Sequence, residues 1–415
     1  MALGIVLFVY APAARAEEVP SPTDIAPSAT VEPESAAGPS PIAAMLLQPA
    51  PVDVAGFPPV PRATPDTRGP GVELHGFMSA WWTPWSEASP TAAQDAFRLR
   101  FALLRVDARP AERISVIARL GLMLPGSPLL DFAATYTPHD AVGVTVGQFR
   151  LPIGASATTL APLLVMLDRP TYVYAMTKLA FRDIGAMVHS GPRGIANGVF
   201  HYRLAMAGGG GRLGSGVNQA PGAIGEFLFA GRVLFDAGRL FLNGASDRLV
   251  FGATYVRSHD PAIDTGTVSR DRELAANVLG RVLVPFGSER VTQLAGGDVT
   301  LSLAGWWAQA EMLYLHSRAT DGSVQSESLG SSLEVGYTLP VRLWNRAGLQ
   351  IASRGERFDP NLEAKLDTLY VASLGFNVLT QNVRGGIFGT ATFFDDDSGA
   401  NRRAGEITMR LVTTF

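Results

Sequence analysis

The closing segment Gly405-Glu406-Ile407-Thr408-Met409-Arg410-Leu411-Val412-Thr413-Thr414-Phe415 sets the reading of the whole chain. Side chains along a strand point alternately to opposite faces, so Ile407, Met409, Leu411, Thr413 and Phe415 share one face. Glu406, Thr408, Arg410, Val412 and Thr414 share the other. One face is oily, the other polar, and the segment finishes on an aromatic ring. Such a strand suits a sheet with lipid on one side and water on the other.

Composition agrees. The 415 residues are 47% hydrophobic but only 17% charged. A soluble domain carries about a quarter charged residues, so this surface is short of charge. The net charge of −3 argues against a nucleic-acid partner, which would need a basic face. The absence of cysteine excludes a disulfide scaffold, a thiolate metal site and cysteine catalysis.

Residues 1–16, MALGIVLFVYAPAARA, have an apolar run and an Ala14-Arg15-Ala16 ending, which predicts a secretory signal peptide. Residues 17–71 contain 13 of the 29 prolines and one aromatic residue, Phe57. That segment cannot bury enough apolar surface to offset its ordering entropy, and is expected to be a disordered periplasmic linker. Beyond it no run of apolar residues is long enough for a membrane helix, so any membrane crossing must use strands closed into a barrel.

From Val72 to the end the pattern has period two. Leu74, Gly76, Met78, Ala80 and Trp82 alternate with Glu73, His75, Phe77, Ser79 and Trp81. Phe97, Leu99, Phe101 and Leu103 alternate with Arg98, Arg100 and Ala102. Phe227, Phe229, Gly231, Val233 and Phe235 alternate with Leu228, Ala230, Arg232, Leu234 and Asp236. With residues 258–290 taken as one long loop, the chain divides into 16 strands. An even number suits a single-chain bacterial barrel. Short linkers such as 109–112, 304–305 and 380–382 then fall at one end. The longer segments, 83–96, 150–182, 207–224, 258–290, 319–328, 358–366 and 395–403, fall at the other. The expected fold is all-β: a 16-stranded antiparallel transmembrane β-barrel over residues 72–415, with its third external loop folded inward. Trp81, Trp82, Trp85, Tyr136, Trp306, Trp307, Tyr337, Trp344, Phe393 and Phe394 lie near strand ends, where interfacial aromatic girdles are expected.

The segment from Arg150 to Arg182 is much longer than an ordinary connection and apolar in its middle, at Leu160, Leu163, Leu164, Val165, Met166 and Leu167. An apolar loop in water is costly, so this one should pack on the inner wall and narrow the lumen. Arg169, Lys178 and Arg182 would then stand in or near the constriction.

Three motifs carry a resemblance. Gly147-Gln148-Phe149-Arg150-Leu151-Pro152-Ile153-Gly154, then Leu167-Asp168-Arg169, then Arg182-Asp183-Ile184-Gly185 resemble successive signatures of the phosphate-selective porins O and P. Gly296-Gly297-Asp298, Ala310-Glu311, residues 354–360 and the closing strand are also similar, so the resemblance covers roughly residues 72–415. It implies a trimeric 16-stranded porin whose third external loop constricts an arginine-lined anion pathway. The family's paired arginines in the second strand are here Arg100-Phe101, and only Lys178 and Lys365 supply lysine, so phosphate specificity does not carry over with the fold.

Read from the residues alone, Arg98, Arg100, Arg119, Arg203, Arg232, Arg354, Arg384 and Arg410 alternate with apolar neighbours and should face the lumen. Two readings stay open. Rows of arginine raise the local concentration of anions, or they brace the barrel by pairing with Asp183, Asp236, Asp298, Glu311 or Glu406. The candidate pore residues are Arg98, Arg100, Arg119, Arg150, Arg169, Lys178, Arg182 and Arg232. The six histidines show no metal-ligand spacing, no GxSxG occurs, and neither catalytic residues nor a cofactor are expected. The expected function is passive diffusion of small hydrophilic solutes across a bacterial outer membrane, with preference for anions such as phosphate. Lipid, lipopolysaccharide and small polar or anionic solutes would be the partners, nucleic acid would not, and the resemblance adds a homotrimer. A phospholipase-type barrel enzyme and a plugged structural or adhesive barrel are the alternatives.

Overall fold

The computed structural model describes residues 70–86, 96–122, 129–139, 141–159, 164–177, 182–191, 194–208, 227–242, 247–260, 290–322, 325–343, 347–360, 362, 368–380, 383–395 and 402–414. The predicted leader and almost all of the predicted linker lie outside these residues. The strands are β1 (Gly71–Ser86), β2 (Ala96–Ala111), β3 (Ile114–Gly121), β4 (Leu129–His139) and β5 (Val142–Arg150). Two short helices follow, α1 (Ala155–Thr158) and α2 (Thr171–Thr177). Next come β6 (Arg182–His189), β7 (Phe200–Ala207) and β8 (Leu228–Asp236), a helical turn α3 (Gly238–Phe241), β9 (Arg248–Asp260) and β10 (Arg290–Leu303). The remaining strands are β11 (Trp306–Ala319), β12 (Gln325–Leu343), β13 (Ala347–Asp359), β14 (Thr368–Leu379), β15 (Val383–Asp395) and β16 (Arg402–Thr414).

Each strand pairs antiparallel with its neighbours in sequence, and β1 pairs with β16, so the 16 strands close on themselves. Closure leaves no sheet edge, which is what permits a sheet to stand in hydrocarbon without unsatisfied backbone. The two ends differ as expected. Leu303 to Trp306 and Ala111 to Ile114 are tight turns at one end, whereas Arg150 to Arg182 and Asp260 to Arg290 are long connections at the other. Some strands run further than their pattern suggested: β1 reaches Ser86 and β9 reaches Asp260.

Facing follows the two-residue period. Leu74, Met78, Phe132, Val146, Leu204, Phe229, Leu333, Leu374, Ile387 and Leu411 are exposed on the outer surface, while Arg119, Asp131, Arg232, Asp298, Glu311, Glu334 and Arg410 are buried inside. This is the inverse of a soluble protein, and suits a wall solvated by acyl chains.

Two details correct the sequence reading. In β2 the alternation is not continuous, because the register shifts so that Ser79 stands opposite Phe101 but Ala80 opposite Leu99. Arg100 is the extra residue of that bulge, and Phe101 therefore sits in phase with inward-facing Ser79 rather than with Leu99. The aromatic girdle also holds fewer rings. Trp82, Tyr136, Trp306 and Phe393 are exposed on the outside, but Trp307 is buried within the barrel. Trp81 packs against the Arg410 guanidinium, whose carbon lies 4.4 Å from its ring centre. Parity decides this: Trp82 and Trp306 have the lipid-facing phase, and their neighbours cannot share it.

Candidate pore constriction

The chain enters the barrel immediately after β5. Gly147 and Gly154 of the GQFRLPIG motif both take left-handed backbone, at φ 122° and 59°. A β-carbon on Gly147 would meet the Phe132 carbonyl oxygen, and one on Gly154 would meet the Glu311 carboxylate. Glycine is required at both positions. Between them Leu151 and Ile153 are essentially fully buried, as are Leu164, Val165, Met166 and Leu167 further along. The apolar centre of the loop therefore packs inside the barrel, with Trp307, Ala352, Phe388 and Val412 of the far wall. Leu160 and Leu163 lie outside the described residues.

Hydrophobic burial places the loop, and hydrogen bonds to its backbone fix it. Glu334 accepts from the Met166 N–H at 3.0 Å, and Glu356 from the Thr171 N–H at 2.6 Å. Glu311 accepts from the Ser156 N–H at 3.3 Å and from the Tyr172 hydroxyl at 3.2 Å. Carbonyls are held by cations and an amide: Arg354 donates to Asp168 at 2.8 Å, Asn377 to Val165 at 3.0 Å, and Arg410 to Met166 at 2.6 Å. Arg384 donates to Val165 at 3.1 Å. A loop inside a barrel cannot rely on bulk water for its backbone groups, and these contacts replace it. Burial, with the Glu311 carboxylate beside it, holds the Tyr172 phenol well above the ordinary tyrosine range.

The other side of the lumen is basic. Asp131 on β4 accepts from Arg119 at 3.0 Å and from Arg182 at 2.8 Å. Arg150 stands opposite Arg182 in the β5–β6 register. It donates to the Thr158 carbonyl at 2.8 Å, and Arg169 donates to the Ser156 carbonyl at 2.9 Å. Strand parity would send Arg150 and Arg182 outward with Val146 and Ile184. At the mouth of the loop both guanidinium groups instead turn in, and Arg119, Arg150 and Arg182 gather about one carboxylate, with Arg169 beside Arg150. Arg203 joins Arg119 and Arg150 in lining a pocket of about 40 Å³ between this wall and α1.

The candidate residues thus separate into three groups. Arg119, Arg150, Arg169 and Arg182 come together near Asp131, where the loop enters the barrel. Arg232 is held elsewhere, donating to both Asp298 oxygens at 2.7 and 3.0 Å and to Thr254. Arg98 stands opposite Trp81 and Arg100 lies in the bulge, with only their backbone described, and Lys178 lies outside the described residues. Asp131, Glu334 and Glu356 were not among the predicted site residues, nor among the acids named as bracing partners. Each stands in a period-two stretch with inward phase, but nothing local says which loop atoms it meets.

Among the described residues, a serine–histidine side-chain contact lies at the β6–β7 turn. Ser190 Oγ lies 3.3 Å from His201 Nδ1, and both residues are buried. Gly194 packs so closely on the imidazole that a β-carbon there would clash with it. The pair is a wedge closing the β6–β7 turn, not a lipid-facing dyad.

No family model matches the chain, and no curated protein matches it in sequence. Solved structures do share its fold. An anion-selective porin from Comamonas acidovorans is similar over 83% of this chain and 100% of its own, at 9% identity and TM-score 0.56. The outer membrane channel DcaP of Acinetobacter baumannii matches 84% of this chain and 99% of its own, at 12% identity and TM-score 0.52. OmpT, an outer membrane protein of Vibrio cholerae solved in a trimer form, matches 84% and 100%, at 8% identity and TM-score 0.54. The chain therefore has the fold of outer-membrane porins and channels.

Proposed function

We propose that this chain is an outer-membrane porin for passive diffusion of small hydrophilic solutes, with preference for anions. The observation that carries this reading is the division of charge within the lumen. Glu311, Glu334 and Glu356 are occupied in holding the loop, whereas Arg119, Arg150 and Arg182 gather around Asp131 on the other wall, with Arg169 beside Arg150. A net positive constriction with low-dielectric walls concentrates anions and repels cations. The motif resemblance makes phosphate one candidate among them. No reaction is assigned, since solute passage needs only geometry and charge. The outer face meets lipid, and lipopolysaccharide on its external side. A homotrimer is included in the proposal, because one structural neighbour is a trimer.

Planar-bilayer recording under a KCl gradient tests this. The reversal potential should show anion selectivity, and Arg182→Glu should move it toward cations. A reversal potential unchanged by that substitution overturns the constriction assignment. The complete burial of Val165 and Met166 favours a second reading, a barrel plugged by its own loop. A plugged barrel gives no open steps in the same recording.

A further inference from the structure

The pocket between the loop and the β3–β7 wall has a mixed lining. Arg119, Arg150 and Arg203 bring positive charge against the one acid, Asp131, three threonines bring hydroxyls, and Ile117, Phe149 and Met187 bring hydrocarbon. Inorganic phosphate presents oxygen in every direction and gains from donors all round. The threonine hydroxyls answer only part of that need, Asp131 repels a dianion more than a monoanion, and the apolar part of the wall removes water, which is costly for a multiply charged ion. A carboxylate carries its charge at one end, where a guanidinium fork can grip both oxygens. Its carbon tail then gains by lying against Phe149 and Met187, which are buried and face the lumen. Volume limits the tail. One water requires roughly 10–15 Å³, so about 40 Å³ accommodates a carboxylate and a short hydrocarbon stub.

We propose that this pocket selects short-chain monocarboxylates over inorganic phosphate, an inference that rests on the anion-preferring pore described above. Each methylene taken out of water into such a lining is worth about fourfold in affinity. The pore therefore grades monocarboxylates by tail length until the pocket is full.

The protein in planar bilayers is titrated with sodium acetate, propionate, butyrate and phosphate at one pH and ionic strength. The concentration that halves the chloride current should fall about two- to fourfold from each acid to the next. Phosphate should need more than butyrate. Met187→Ser should flatten the dependence on chain length, and Arg119→Gln should weaken all three acids together. Open, anion-selective channels that phosphate blocks at or below the butyrate concentration overturn this proposal and leave the pore reading intact. Cation-selective channels overturn both. Should no channel open, thermal unfolding in detergent micelles decides: butyrate must raise the Tm more than phosphate at equal concentration, and an equal or reversed order overturns the pocket assignment.

Discussion

Glu334 on β12 and Met166 in the inward loop are 168 residues apart in sequence, yet the carboxylate accepts the Met166 N–H at 3.0 Å. Both residues are buried. The contact joins the inward loop to the wall opposite its point of entry, and together with Glu311 and Glu356 it fixes the loop's position inside the barrel.

Glu334→Ala should loosen the loop. A buried N–H left without its acceptor costs about 1–3 kcal/mol, enough to populate displaced loop positions. The expected outcome is a larger and noisier single-channel current than wild type. An identical current with identical noise would show that Glu334 does not restrain the loop.

A methyl group at Gly330 would strike the Tyr172 ring. Gly330→Ala should therefore lift α2 from the wall and lower the thermal midpoint, with a cost of about 1–3 kcal/mol from overpacking. In a Tyr172→Ser background, itself destabilised by the lost ring, Gly330→Ala should cost much less than it does in wild type. Additive losses in the double variant would disprove the contact.

Asp131→Asn separates bracing from selectivity. Removing a buried partner of Arg119 and Arg182 should destabilise the barrel by about 3 kcal/mol or more. It also adds one positive charge to the constriction, so the chloride-to-potassium permeability ratio should rise. A lower midpoint with an unchanged permeability ratio would mean that the cluster only braces the wall.

Tyr172 should resist alkali. Its neutral form is favoured by burial, so the folded phenol titrates well above the usual value near about 10. Above that pH the unfolded chain releases a proton that the folded one keeps. The contribution to stability is whole below about pH 10 and is lost as pH rises through the folded value. Absorbance at 295 nm checks this: folded wild type and Tyr172→Phe should titrate alike near pH 10, and differ by one phenol once unfolded. A difference at pH 10 in the folded proteins would refute the shift.

The closed barrel, its strand number and the inward loop were all legible, because each rests on local periodicity or on a strong excess of apolar residues. The failures were local too. The bulge at Arg100 leaves no mark in the alternation of Phe97, Leu99 and Phe101, since an inserted residue changes phase without changing composition. Trp81 and Trp307 belong to Trp-Trp pairs, in which only one ring of each can face lipid.

What the chain determined by itself is which side chains share a face, since strand geometry repeats every two residues whatever the surroundings. What only the tertiary structure decided is which charges meet. Arg119, Arg182 and Asp131 come from three strands. Arg232 meets Asp298 across β9, and Glu334 meets a loop backbone. Coulombic and hydrogen-bonding partners depend on distance through space, and closing the barrel is what sets those distances.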